Sequence, residues 1–186
     1  MTYYGGKELA NAFRTVRKNT LQIAQDIPED KYDFKPSPDS RSVKQTLAHI
    51  ATLTTFPMML HGERIPIEKI DFMEYMKKVG DEEAKLQTKA QIIAKLKDSG
   101  EVFATMLEGL NDDTFLGEEI VFRAGATPPS RTRFDLLLAA KEHEMHHRGQ
   151  LMVMERMLGI VPHLTREAQE RMARFQQQQQ PEAAKA

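Results

Sequence analysis

The stretch Lys141-Glu142-His143-Glu144-Met145-His146-His147-Arg148-Gly149-Gln150-Leu151 places three of the chain's six histidines within five residues. Around it Leu136, Leu137, Ala139, Ala140, Leu151, Met154 and Leu158 recur at helical spacing. On a helix, His143 and His147 stand one turn apart on the face that carries Leu136, Ala139, Ala140, Leu151 and Met154, so both imidazoles are expected to point inward. Two buried imidazoles cannot both be charged without a severe desolvation cost. Either they are core histidines satisfied by hydrogen bonds, or they hold a divalent metal between them. The paired spacing favours the metal.

The remainder of the chain offers helices to face this one. A first helix is predicted over residues 6–26, with Leu9, Phe13, Val16, Thr20 and Ile23 as its apolar stripe and Arg14, Arg17 and Lys18 opposite. Residues 27–41 hold three prolines and form an ordered connection, in which Tyr32 and Phe34 pack on the bundle. Ser42 caps a second helix that runs to about Met59. Its apolar arc (Val43, Leu47, Ile50 and Thr54, beside Thr46, Leu53 and Phe56) is wide enough to turn His49 inward. His61, at the frayed end, reads as a surface residue. Residues 62–87 are charged and irregular, with a short helix over 68–78. Thr88 caps a third long helix to about Leu110, residues 119–123 read as a short extended piece, and Ser130 or Thr132 caps the histidine-bearing fourth helix, which ends near Gly159. Residues 165–175 are helix-like and charged. Gln176 to Gln180 open a biased tail, residues 176–186, for which disorder is the expectation. The fold class is therefore all-α: a four-helix bundle in a single domain over residues 1–175, with an extra short helix in the second connection and a C-terminal helical extension.

Several function classes drop out on composition. The formal net charge is -1 and the basic residues are scattered, which leaves no nucleic-acid footprint and no polybasic membrane patch. No apolar run approaches the ~20 residues of a membrane span, and the N-terminus lacks a signal pattern, so the expectation is a cytoplasmic protein. There is no cysteine, which excludes disulfides, cysteine-ligated zinc and a cysteine nucleophile. Any thiol in its chemistry must come from a small molecule.

Bundle cores commonly build metal sites from facing helices. His49 is the natural third ligand beside His143 and His147. Three protein ligands leave one position open, the usual arrangement of a catalytic site. Three imidazoles suit Zn or Ni, and also Fe, Mn or Co. The residues His143 to His147 also spell H-E-x-x-H, in which Glu144 would be a general base beside a zinc-bound water. Against a protease stand the failed metzincin extension after His147 and the scarcity of strand, although Glu155 or Glu167 remains a conceivable downstream ligand. Outside that reading Glu144 is either the nearest base to the metal or a solvated helix-face carboxylate. A glycine inside a helix costs about 1 kcal/mol relative to alanine, and Gly149 suggests close approach of a neighbouring helix. A non-catalytic metal- or ligand-binding bundle is the third class. An apolar pocket over the metal would separate an enzyme or ligand binder from a structural role.

Two segments, Ser42-Val43-Lys44-Gln45-Thr46-Leu47-Ala48-His49-Ile50 and His143-Glu144-Met145-His146-His147-Arg148-Gly149-Gln150-Leu151, together resemble the DinB-like (damage-inducible, YfiT-like) metalloenzyme family. The approach over Pro36 to Arg41 is similar too, and the resemblance covers residues 6–160. It implies a four-helix bundle, usually a homodimer, with a divalent metal on His49, His143 and His147. His146, about 100° round the helix from His147, would then lie behind the ligands or at an interface. Family members include thiol-dependent S-transferases and a thiol-dependent isomerase. The resemblance thus implies metal-dependent transfer or addition of a low-molecular-weight thiol to an electrophilic small-molecule substrate, with the H-E-x-x-H metallohydrolase or a non-catalytic bundle as the alternatives.

Overall fold

The computed structural model describes residues 4–110 and 113–179. In chain order the helices are α1 (Gly6–Asp26), α2 (Val43–Thr52), the short turn α3 (Thr55–Pro57), α4 (Phe72–Lys85), α5 (Lys89–Glu108), the short α6 (Asp113–Gly117), α7 (Arg133–Met157) and α8 (His163–Gln179). Helices α1, α2, α5 and α7 form the bundle, and α1 packs chiefly on α5. Their starts follow local chemistry. Ser42 and Thr88 close capping boxes with Gln45 and Gln91, and Thr132 accepts the Asp135 N–H. Each satisfies donors that a helix start leaves open. The α1 stripe of Leu9, Phe13, Val16, Thr20 and Ile23 is buried throughout. Phe13 meets Phe103 of α5 edge to face, with ring centroids 4.8 Å apart. Leu47 and Ile50 of α2, Leu96 and Leu107 of α5, and Leu137 and Leu151 of α7 fill the same core. Burying each such side chain stabilises the fold by about 1.5–3 kcal/mol. Tyr32 and Phe34 pack on the bundle as anticipated, Tyr32 donating its hydroxyl to the Ala24 carbonyl at 2.7 Å.

The second helix departs from expectation in a way that matters for the site. It ends at Thr52 rather than near Met59. Pro57 has no N–H to offer the Leu53 carbonyl four residues back, and its ring crowds that carbonyl. The chain passes through α3 and then a single π-type turn, Met58–Gly62, closed by the Glu63 N–H on the Met58 carbonyl at 2.8 Å. This path carries His61 into the interior, 1% exposed, where the sequence suggested a surface residue. The short helix of the second connection is α4, later and longer than expected and capped by Asp71. The extended piece is strand β1 (Glu119–Val121), paired antiparallel with β2 (Ser130–Thr132), so that Ile120 faces Arg131. Helix α8 continues through Gln176–Gln179, past the expected start of the tail. Residues 180–186 of that tail lie outside the described residues. No helix among the described residues is long and apolar enough to cross a membrane.

Arg17 does not lie on the solvent side with Arg14 and Lys18. It is 4% exposed, because it stands four residues after Phe13 and three before Thr20, squarely on the stripe. Its guanidinium joins all four bundle helices. From α1 it donates to both oxygens of Glu144 on α7 at 2.9–3.1 Å, to the Leu96 carbonyl on α5 at 2.6 Å and to the Ile50 carbonyl on α2 at 3.4 Å. Thr20 donates its hydroxyl to Glu144 at 2.7 Å. A Cβ at residue 100 would come within 2.8 Å of Arg17 Cγ, which explains the glycine there.

Near the end of α7, Glu155 is 0% exposed and neither carboxylate oxygen has a hydrogen-bond partner. Burial first, then the charge of Asp26, pushes its pKa up to about 7 from an ordinary 4.5, against the pull of Arg166 and Arg156. Between those two values the folded protein keeps a proton that the unfolded chain has released. Stability therefore falls as pH rises through this window and levels off above it. Glu155→Gln is expected to raise the unfolding free energy by about 2–3 kcal/mol at about pH 8 and to change it little at about pH 4. Urea titration at both pH values checks this; equal effects at the two would contradict it.

Candidate metal centre

His49 on α2 faces His143 and His147 on α7, and one donor nitrogen from each lies within 4.8 Å of the others. His143 Nε2 is 2.9 Å from His147 Nε2 and 3.4 Å from His49 Nε2. Zn–N bonds of ~2.0–2.1 Å at tetrahedral angles set donors about 3.3 Å apart, a spacing that the two His143 separations bracket. His147 is buried and His49 half-buried. His143 is exposed rather than inward-facing, because α7 at that level borders a cavity instead of the core.

Outer hydrogen bonds decide which nitrogens are free. Glu83 Oε1 lies 2.9 Å from His49 Nδ1, and Gln150 Oε1 lies 2.9 Å from His147 Nδ1. Both oxygens only accept, so both Nδ1 atoms carry the proton and both Nε2 lone pairs face the centre. This is the carboxylate–histidine and amide–histidine support that fixes ring orientation at metal sites. The Gln150 amide also donates to His146 Nε2 at 3.2 Å, so His146 stands behind His147 and outside the donor group. Burial, then the neighbouring charges of His49, His146 and Arg41, holds His143 below the ordinary histidine range. Burial likewise brings His147 down to about 4, although the Gln150 hydrogen bond pulls the other way. Both are neutral at pH 7. Burial tends to raise Glu83, but hydrogen bonds from His49 and Thr52 and the charge of Arg41 outweigh it, so the carboxylate stays ionised.

Glu144 departs from both expectations. It is neither a solvated carboxylate nor a base beside the metal: its two oxygens are taken by Arg17 and Thr20 of α1. The residue is fully buried because α7 turns that face to α1. Gly149 has no neighbour within 4 Å of a would-be Cβ, so no helix approaches it closely. Glu155 and Glu167 lie outside the donor group.

Sequence reading missed Glu83, Gln150 and Arg41. Gln150 was within reach, since it follows His147 by three residues on one helix. Glu83 carried no signal: it belongs to the charged run Asp81-Glu82-Glu83, and only the docking of α4 on α2 selects it. Arg41 is exposed, has no hydrogen-bond partner among the described residues, and borders two cavities that flank the histidines. One, of ≈ 450 Å³, meets His49 and His143 and has mostly apolar walls, among them Leu53, Phe56, Phe72, Tyr75, Val79 and Leu136. The other, of ≈ 420 Å³, is edged by Ser40, Thr46, His146, His147 and Gln150.

Three convergent imidazoles, two of them lining an apolar cavity, inside a helical bundle define a class of proteins able to hold a metal ion between facing helices. The chain belongs to the DinB superfamily, whose family model matches residues 12–151 and so takes in all three histidines. It is 28% identical over 157 residues to the uncharacterized protein YjoA of Bacillus subtilis (strain 168), covering 82% of this chain and 90% of that one. The crystal structure of YjoA, a DinB-like protein, superposes with a TM-score of 0.60 at 25% identity, covering 82% of this chain and 92% of the other. A DinB-like protein from Bacillus cereus shares the fold at a TM-score of 0.62 and 16% identity, over 83% and 93% of the two chains.

Proposed function

We propose that the protein is an enzyme that holds one divalent cation, Zn or Ni in the first place, on His49, His143 and His147, and that it transfers or adds a small-molecule thiol to an electrophilic substrate in the adjoining cavity. The observation that carries this reading is the convergence of three Nε2 atoms, two of them freed by fixed outer hydrogen bonds, beside a mostly apolar cavity that His49 and His143 line. When bound on three neutral imidazoles, a cation keeps its full charge and supplies Lewis acidity, lowering the pKa of a thiol or water at its open position. The chain's own groups do the rest. Glu83 and Gln150 orient two of the imidazoles. Apolar walls exclude water from the electrophile, and Arg41 offers a positive charge at the rim of both cavities. A pocket of this kind favours a ligand-handling role over a purely structural one. The protease alternative lacks its base, since Glu144 is bound to Arg17. The same reading, by family resemblance, has the protein act as a cytoplasmic homodimer without nucleic-acid or membrane partners.

The test is a panel of low-molecular-weight thiols with reactive electrophiles, run with metal-loaded wild type and His147→Ala. For at least one pair the wild type is expected to be faster by on the order of 10²-fold or more. Equal rates across the panel would remove the transferase reading. Metal-dependent cleavage of a denatured protein, lost in His147→Ala, would establish the metallohydrolase instead.

A further inference from the structure

His61 stands apart from the three-histidine group yet borders the same apolar cavity. Its tautomer can be read from its neighbour. Arg133 Nη1 lies 3.3 Å from His61 Nδ1. A guanidinium only donates and keeps its protons at any ordinary pH. Nδ1 therefore accepts, and the ring proton is on Nε2. Arg133 has no freedom to change this arrangement. It donates to the Leu60 carbonyl at 3.0 Å and pairs through Nε with Glu118 at 2.8 Å, and its guanidinium stacks 4.5 Å from the Phe115 ring centre. Burial, then the Arg133 charge, keeps the imidazole neutral, with a pKa of about 4 against a weaker opposing pull from Glu118.

The Nε2–H has no partner among the described residues. It is also not sealed off, unlike the orphaned polar atoms of Arg148, Glu155 and His163. The ring as a whole is almost inaccessible, and His61 lines the apolar cavity. An N–H donor among apolar walls is satisfied by a ligand's acceptor, and a site built this way rejects analogues that lack the acceptor. The π-type turn that presents His61 exists because Pro57 interrupts the helix, and such turns recur at functional sites.

We propose that His61 is the specificity-determining hydrogen-bond donor of this cavity, and that its ligand is an apolar molecule carrying a carbonyl oxygen, held by Nε2–H while its body lies against Phe56, Tyr75 and Leu136. The inference rests on reading the cavity as the substrate site. It does not depend on the metal.

Acetophenone and ethylbenzene are similar in size and shape and differ in the carbonyl oxygen, which makes them a matched pair of probes. Metal-free protein with ¹⁵N-labelled histidine is titrated with each and followed by NMR. Acetophenone is expected to bind about 5–10-fold more tightly, and the His61 nitrogens are expected to report the Nε2–H tautomer, with Nε2 moving on binding. His61→Phe is expected to lose the preference. His61→Gln keeps an N–H near the same place and is expected to retain part of it, which separates loss of the donor from loss of the fold. A wild type that does not favour acetophenone, a preference that survives in His61→Phe, or a His61 ring protonated at Nδ1 would each overturn the proposal. Because the titration is metal-free, a failed metal stoichiometry would leave this result standing, and the converse holds too.

Discussion

Replacing Arg17 with methionine is expected to lower the unfolding free energy by about 3–5 kcal/mol and the melting temperature by roughly 10 °C. Glu144 is completely buried and depends on Arg17 for three of its four hydrogen bonds. Removing the guanidinium leaves an uncompensated carboxylate in the core, and frees the Leu96 and Ile50 carbonyls as well. The cost lies in stranding a charge, not in the pair's own net worth, because desolvating two ions consumes most of their attraction. The double variant Arg17→Met with Glu144→Leu should therefore recover most of the loss. Calorimetry on the three proteins decides the matter. A single variant within about 1 kcal/mol of wild type, or a double variant no better than the single, would show that the pair is not the junction of the four helices.

Metal-loaded wild type is expected to carry one divalent cation per chain, and His49→Ala, His143→Ala and His147→Ala to lose stoichiometric metal, while His146→Ala keeps it. Three donors converge and the fourth histidine stands behind Gln150. Glu83→Gln is expected to weaken the metal about 10–100-fold, the usual cost of removing an outer partner of a ligating histidine. Acid must eventually release the ion, because protons compete for the imidazoles. The depressed pKa values of His143 and His147 hold that release below the range of an ordinary histidine. Elemental analysis after desalting measures the stoichiometry. Loss of metal from His146→Ala with retention in His147→Ala would overturn the ligand set.

Most of the fold was legible because it is written in near-neighbour chemistry. Ser42, Thr88 and Thr132 announce their helices, and the 3–4 spacing of Leu9, Phe13 and Val16 announces a buried face. The three histidines were likewise nominated by spacing on two such faces. What escaped was decided between elements. Charge alone put Arg17 outside, although its position on the stripe put it inside. Glu144, about 100° round the helix from His143, took its partner from α1, more than a hundred residues of chain away from where a motif would look. Glu83 reached His49 only because α4 lies on α2. His61 was misplaced by overlooking one proline, since Pro57 redirects the four residues that follow it.

Helix α4 forms the outer wall of the apolar cavity and also carries Glu83. Among its residues only Val79 is buried, while Phe72, Met73 and Met76 remain exposed. A helix anchored so lightly opens at a far smaller free-energy cost than the bundle beneath it. Were the cavity to take a small molecule as proposed, its entry and exit would depend on the few contacts of α4, and the integrity of the core on the ion pair at Arg17. The two would then be separable by mutation: substitutions on α4 would alter the one, and substitutions at Arg17 the other.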